Sequence, residues 1–326
     1  MAQCLQRESE IKRRQGDYNG ALQDGCKSLE MKLKWLDEKD ARLADSYDQI
    51  AQVYWDLRNV DLCLDMYKKS LQIRLAVFGH NHPDVAMSYN NIGVVYEHQG
   101  KYDQAMDMYK KSLQIGLAAL GDSHPDVANS YNNIGNVYEH QGKYDQAVDM
   151  YKKSLKIRSS ALDPNHPDVA NSYHNIGVVY DHQGKYDQAV DMLHKSLEIR
   201  LAVLGDNHLH VARSYNNIGV VYRSQGKYDQ AVDHFDKSLQ IRLEVLGPNH
   251  PYVAMSYHNI GVVYSRQGKY DQAVAKYRKS LEIRLLVLGD NHLHVAQSYN
   301  NIGLVYHDQG KFDQALEMHD KSLRIR

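Results

Sequence analysis

Eighteen histidines, three cysteines and two files of side-chain amides are the residues of this 326-residue chain equipped for chemistry. His98, His140 and His182 occupy one recurring position, which invites a metal reading. On neighbouring packed helices they would lie about 8–10 Å apart, whereas zinc needs each ligand nitrogen at about 2 Å. His174 and His182 stand two helical turns apart, and the pairs His208/His210 and His292/His294 have no third ligand nearby. Neither a metal nor another cofactor is expected. His82, His124, His166, His208, His250 and His292 each precede a helical stretch, where they are expected to cap it or to pack at the junction. Ser112, Ser154, Ser196, Ser238, Ser280 and Ser322 recur with no paired base, and the isolated glycines form no phosphate-cradling loop. The expectation is a protein without catalytic activity.

The amides are the stronger signal. One position holds Asn91, Asn133, Asn175, Asn217, Asn259 and Asn301; the position before it holds Asn90, Asn132, His174, Asn216, His258 and Asn300. Asn136 adds one more amide. Asparagine is a poor helix-interior residue, because its amide competes for backbone partners, so the series needs an explanation. A carboxamide offers donors and an acceptor together, and a row of them can hold the backbone of an extended peptide whatever its side chains. The alternative is that the amides bond one structural unit to the next. The position after Tyr96 reads Glu97, Glu139, Asp181, Arg223, Ser265 and His307 along the chain, with Arg213 and Arg266 nearby. That order implies a binding face acidic early and basic late, which would orient a partner of opposite charge order. A solvated charged rim is the alternative.

What must position these residues is a repeat. Tyr89-Asn90-Asn91-Ile92-Gly93-Val94-Val95-Tyr96 returns as Tyr131-Asn132-Asn133-Ile134-Gly135-Asn136-Val137-Tyr138, 42 residues later, and again from Tyr173, Tyr215, Tyr257 and Tyr299. A fixed period of this length signals stacked units that bury their apolar faces on their neighbours. Val85, Tyr89, Ile92, Val95 and Tyr96 fall at helical spacing, which predicts a first helix. Pro83 suits its opening and Gly100 its end. Ala105, Met108, Tyr109, Ser112, Leu113 and Ile115 form the stripe of a second helix ending at Gly121. Glycine inside a helix costs about 1 kcal/mol relative to alanine. Gly93 and its equivalents are therefore expected to face the small residue twelve positions on, Ala105 and its equivalents, so that paired helices approach closely.

Lys plus Arg number 39 and Asp plus Glu 40, so no global field favours nucleic acid or an anionic membrane. No stretch has the roughly 18 consecutive apolar residues of a spanning helix, and residues 1–14 are too polar for a secretory signal. Cys4, Cys26 and Cys63 are sparse and odd in number, which fits a reducing, cytoplasmic compartment.

Tyr89-x2-Ile92-Gly93-x2-Tyr96 followed by Ala105-x3-Tyr109 resembles the tetratricopeptide pattern, whose usual period is about 34 residues. The 42-residue period, with its Leu-Gly-Asp-x-His-Pro-x-Val-Ala junction, is similar to the kinesin light chain class of these repeats. Asp206 to Ala212 and Asp290 to Ala296 depart from it with His-Leu-His in place of His-Pro-Asp. The resemblance implies an all-α fold, an α-solenoid of helical hairpins coiled as a right-handed superhelix. Residues 1–39 would be a degenerate capping repeat and residues 40–326 seven hairpins in one continuous solenoid. It also implies a protein or peptide partner in a concave groove lined by the first helices, as in a motor–cargo adaptor. A regulatory or ligand-sensing array from a larger signalling protein is the other reading. The chain ends inside its last second helix, so either it belongs to a longer protein or that end associates with another copy.

Overall fold

The computed structural model describes residues 1–325, and among them there are sixteen helices and no strand. The chain divides into two compact units, Met1–Ala161 and Leu162–Arg326. In the first, α1 (Ala2–Arg14) pairs with α2 (Tyr18–Leu33), α3 (Ala41–Asp56) with α4 (Val60–Phe78), α5 (Pro83–His98) with α6 (Tyr102–Leu120) and α7 (Pro125–His140) with α8 (Tyr144–Ala161). The second unit repeats the scheme with α9 (Pro167–His182) and α10 (Tyr186–Leu204), α11 (Leu209–Ser224) and α12 (Tyr228–Leu246), α13 (Pro251–Arg266) and α14 (Tyr270–Leu288), and α15 (Leu293–Asp308) and α16 (Phe312–Ile325). Within each unit the second helix of one hairpin packs on the first helix of the next.

Local chemistry sets the helix ends. His82 Nδ1 accepts the Asp84 backbone N–H at 3.2 Å, and Pro83, which has no N–H to satisfy, occupies the first turn. Helices α11 and α15 lack that proline, yet His208 and His292 cap them through Nδ1 at 3.1 Å, so the variant junctions keep the cap. Gly100 takes φ +71°, and the Gly100 and Lys101 N–H groups return to the Glu97 and Tyr96 carbonyls. This left-handed ending satisfies carbonyls that would otherwise be orphaned.

The helix-interior glycines correct the small-for-small expectation. A Cβ on Gly93 would lie 2.6 Å from Cε1 of Tyr109, and one on Gly135 would lie 2.6 Å from Cε1 of Tyr151. Phe235 and Tyr277 fill the same place against Gly219 and Gly261, and Leu193 against Gly177. The glycine makes room first for a large side chain sixteen positions on, and at Gly177 also for the backbone of the alanine at twelve, Ala189, whose carbonyl oxygen would lie 3.2 Å from a Cβ. The fully buried rings of Tyr109 and Tyr151 are the largest bodies in their hairpins, and burying such surface drives the pairing. In the first hairpin the sizes are exchanged: Ser9 occupies the glycine position and Gly25 the ring position, with Ser9 Oγ donating to the Ala21 carbonyl at 2.7 Å.

Candidate functional site

Met87, Asn91, Val94 and His98 succeed one another on α5 at spacings of four and three, so they share one face. Met87 and Val94 are 45% and 37% exposed, His98 is exposed, and Asn91 lies half-buried between them. The same stripe on α13 runs Met255, Asn259, Val262 and Arg266, and on α15 it runs Gln297, Asn301, Leu304 and Asp308. The Asn91 series is therefore central on an accessible helix face. Asn133, Asn175, Asn217, Asn259 and Asn301 are likewise half-buried.

Two members of the preceding series sit deeper than the rest. His174 is 2% and Asn216 8% exposed, because this position points toward the next hairpin. Asn90, Asn132, His258 and Asn300 are half-buried. Asn133 Nδ2 donates to Asn90 Oδ1 at 2.9 Å, and Asn259 Nδ2 donates to Asn216 Oδ1 at 3.0 Å. Asn217 Nδ2 donates to His174 Nε2 at 3.3 Å, and Asn216 Nδ2 donates to Asn217 Oδ1 at 3.2 Å. So a chain of amides crosses from hairpin to hairpin inside each unit. Each bonded Nδ2 keeps a second hydrogen. Asn91 and Asn301 make no side-chain hydrogen bond among the described residues.

The charged positions are tied into the fold, Glu97 and Glu139 to tyrosines of their own hairpins and Arg213 to the hairpin before it. Glu97 accepts the Tyr109 hydroxyl at 2.6 Å. Burial pushes the Glu97 carboxyl above the usual carboxylate range, while Tyr109, His140 and Asn136 pull it back. The Tyr151 hydroxyl lies 2.8 Å from both Glu139 and Asn136, which takes Asn136 away from the open face. Where Asp181 replaces glutamate, Leu193 replaces the tyrosine, and burial raises the Asp181 carboxyl against the pull of His182 and Arg223. Arg213 is exposed and its Nη2 donates to His174 Nε2 at 3.2 Å. Burial, then Arg200 and Arg213, hold the His174 pKa down at about 3, so the ring is neutral. Arg223 and Arg266 line a cleft of about 510 Å3 together with Ser224, Tyr228 and Val262. Two guanidinium groups and a phenol beside an aliphatic wall can receive an acidic side chain or a carboxylate.

A third periodic series escaped the sequence reading. Arg74, Arg158, Arg200, Arg242 and Arg284 are each less than 10% exposed. Arg200 Nη1 donates to Ser214 Oγ at 2.7 Å and Nη2 to Asn171 Oδ1 at 3.0 Å. Arg74, Arg242 and Arg284 bond to Ser88, Ser256 and Ser298 in the same way. The signal was the Ile-Arg pair recurring every 42 residues near the end of each second helix, broken at Gly116. Among the described residues no three His, Cys, Asp or Glu side chains converge, and no helix is long and apolar enough to cross a membrane.

No curated protein matches the chain in sequence. Solved structures with the same fold include a putative kinesin light chain from Podosopora anserina with nearly identical TPR-like repeats, at 22% identity and TM-score 0.57, covering 63% of this chain and 97% of that one. BtubC (BKLC) from P. vanneervenii shares 21% identity at TM-score 0.58, covering 71% and 90%. The apo quorum sensor NprR from B. thuringiensis superposes at TM-score 0.75 and 15% identity, over 99% of this chain and 87% of that one. The family model for the tetratricopeptide repeat matches residues 42–118, 89–160, 126–202, 168–244, 210–285 and 266–326. With nearly every hairpin inside one of those windows, the chain belongs to the tetratricopeptide repeat family.

Proposed function

We propose that this protein is a non-enzymatic interaction scaffold that grips an extended peptide, or an extended segment of a partner domain, along the face formed by its first helices. The observation that carries the reading is the stripe on which Asn91, Asn133, Asn217, Asn259 and Asn301 lie half-buried, Asn91 and Asn301 between exposed neighbours, with amide capacity left over. A peptide backbone presents alternating donors and acceptors, and a carboxamide can meet both. In the second unit the Arg223–Arg266 cleft supplies a seat for an acidic group on that partner. The more specific form is a cargo adaptor like a kinesin light chain, supported by the 42-residue period and its His-Pro junction. A ligand-sensing array is the second reading, favoured by the fold shared with the quorum sensor NprR over 99% of the chain. Three unpaired cysteines, with Cys4 exposed, fit a reducing cytoplasm.

The test is a peptide array probed with the wild-type protein and with the double variant Asn91→Ala/Asn301→Ala. Those two side chains hold no hydrogen bond in the fold, so the variant should melt with the wild type while its peptide signals fall. Equal peptide binding by both proteins would remove the amide stripe as the binding element.

A further inference from the structure

The buried arginine series has one gap. At the position of Arg74, Arg158, Arg200, Arg242 and Arg284 the α6 helix carries Gly116. In its place is a cavity of about 80 Å3, whose walls include Met87 and Asn90 on α5, Ser112 and Gly116 on α6, and Asp126 and Ser130 on α7. That volume holds roughly two to three waters.

The neighbouring copies show what this space accepts. Arg284 Nη1 donates to Ser298 Oγ at 2.8 Å and to the His294 carbonyl at 3.0 Å. Arg242 makes the same pair with Ser256 at 2.7 Å and the Tyr252 carbonyl at 3.2 Å. At the gap the corresponding acceptors are Ser130 Oγ and the Asp126 carbonyl. The match extends to the wall, since Met87 stands where Met255 stands beside Arg284. Arg284 is only 9% exposed and makes no ion pair with a carboxylate, so hydroxyl and carbonyl acceptors suffice to bury a guanidinium here.

The serines record the vacancy in their bonding. Beside Arg200, Arg242 and Arg284, the inner serines Ser196, Ser238 and Ser280 are buried without a hydrogen-bond partner, because the facing serine serves the arginine. At the gap Ser130 Oγ keeps its bond to the Asp126 carbonyl at 3.3 Å and also pairs with Ser112 Oγ at 3.2 Å.

We infer that the Gly116 cavity is a receptor for a guanidinium group, namely an arginine side chain presented by the bound partner. Its mouth lies beside Met87 and Asn129, which head the amide stripes of α5 and α7, so a segment lying on that face can reach it. The chemistry of the cavity stands without the proposed peptide role; only its biological use rests on that reading. Lys32 holds the equivalent place on α2, where its Nζ bonds Ser46 Oγ at 2.7 Å and Gln6 Oε1 at 2.6 Å. At the gap the counterpart of Gln6 is Asn90, whose Oδ1 already accepts from Asn133, so a lysine there lacks its second acceptor and is the weaker occupant.

The experiment titrates the full chain with N-acetyl-arginine amide and, separately, N-acetyl-lysine amide, following backbone amide signals by NMR. The expected result is saturable shifts at Gly116, Ser130 and Asp126 with the arginine compound, and affinity about tenfold weaker or worse with lysine. Gly116→Arg should fill the cavity from within. It should abolish those shifts and melt above Gly116→Ala, the control that carries the helix-propensity gain and the same Cβ contact with Val127 Cγ2 at 3.3 Å. Ser130→Ala should weaken arginine binding without Gly116 being touched, which keeps the test sharp if Gly116→Arg folds poorly. The inference is overturned if the two compounds shift the same signals equally, if the arginine shifts persist in Gly116→Arg, or if no shift appears near Gly116 at millimolar ligand. Arginine binding here with no peptide capture on the array would refute the scaffold reading and leave the cavity's role intact.

Discussion

Gly135→Ala tests the packing rule that builds every hairpin. The added methyl would lie 2.6 Å from Cε1 and 2.7 Å from Cδ1 of Tyr151, distances that a Cβ does not sustain. The ring is fully buried, and its hydroxyl lies 2.8 Å from both Glu139 and Asn136. Helix propensity favours alanine by about 1 kcal/mol. Forcing the helices apart costs about 1–3 kcal/mol, and letting the ring retreat instead loses a bond to a carboxylate worth roughly 1.5–3 kcal/mol. Whichever gives way, the net loss is up to about 2 kcal/mol, or up to about 8 °C in melting temperature for a body of this size. The hairpin of α3 and α4 shows the escape route: Ala51 holds the glycine position, Trp55 replaces the glutamate, and Tyr67 has moved out to 8% exposure. The carboxylate tether is thus what makes Gly135 sensitive. Gly177→Ala meets Leu193 Cγ at 2.8 Å, an untethered aliphatic chain, and should cost less. Circular-dichroism melts of both variants decide the matter. A Gly135→Ala protein melting at or above the wild type, or a Gly177→Ala protein melting below it by more, would refute the reasoning.

Two other perturbations follow from buried polar groups. His174 stays neutral down to about pH 3, through burial first and then Arg200 and Arg213, whereas an unfolded histidine takes up a proton near pH 6.5. Between those values the unfolded chain binds more protons, so His174 makes stability fall as pH drops from about 6.5 toward 3. His174→Asn, which installs the residue found at the equivalent Asn216, should raise the melting temperature at about pH 4.5 relative to wild type and change it little at pH 8; a pH-independent difference would refute the assignment. Arg200→Ala strands Ser214 and Asn171 inside the packing and should cost about 2–4 kcal/mol. Urea unfolding reads that loss, and Arg200→Lys should recover little of it because the two-acceptor fork is gone; an unchanged midpoint for Arg200→Ala would dismiss the arginine series as structural.

The 42-residue period, the helix ends at the His-Pro junction and Gly100, and the apolar stripes are local properties, and a linear reading recovers them. Helix capping needs only the few residues around the end, so the junction role of His82 and its equivalents, as caps or packing residues, was legible before any coordinates, and the Nδ1 bonds decided for capping. Which small residue faces which large one is a different matter. Helices of one hairpin pack at a rotation that no single-helix pattern encodes, and that rotation set Gly93 against Tyr109 rather than Ala105. The same rotation divided the two amide series, turning His174 and Asn216 into the joint between hairpins and leaving Asn91 and Asn301 on the open face. It also brought Arg200 against a serine fourteen residues on and an asparagine twenty-nine residues back, a pairing across three helices. Gly116 looks like one more glycine in the printed chain; only the packed neighbours reveal the cavity of about 80 Å3 beside it. Sequence alone thus determined the repeated unit and its ends, because those depend on neighbours along the chain. Tertiary structure decided which polar groups bind each other and which remain for a partner, because that depends on how one helix surface meets another.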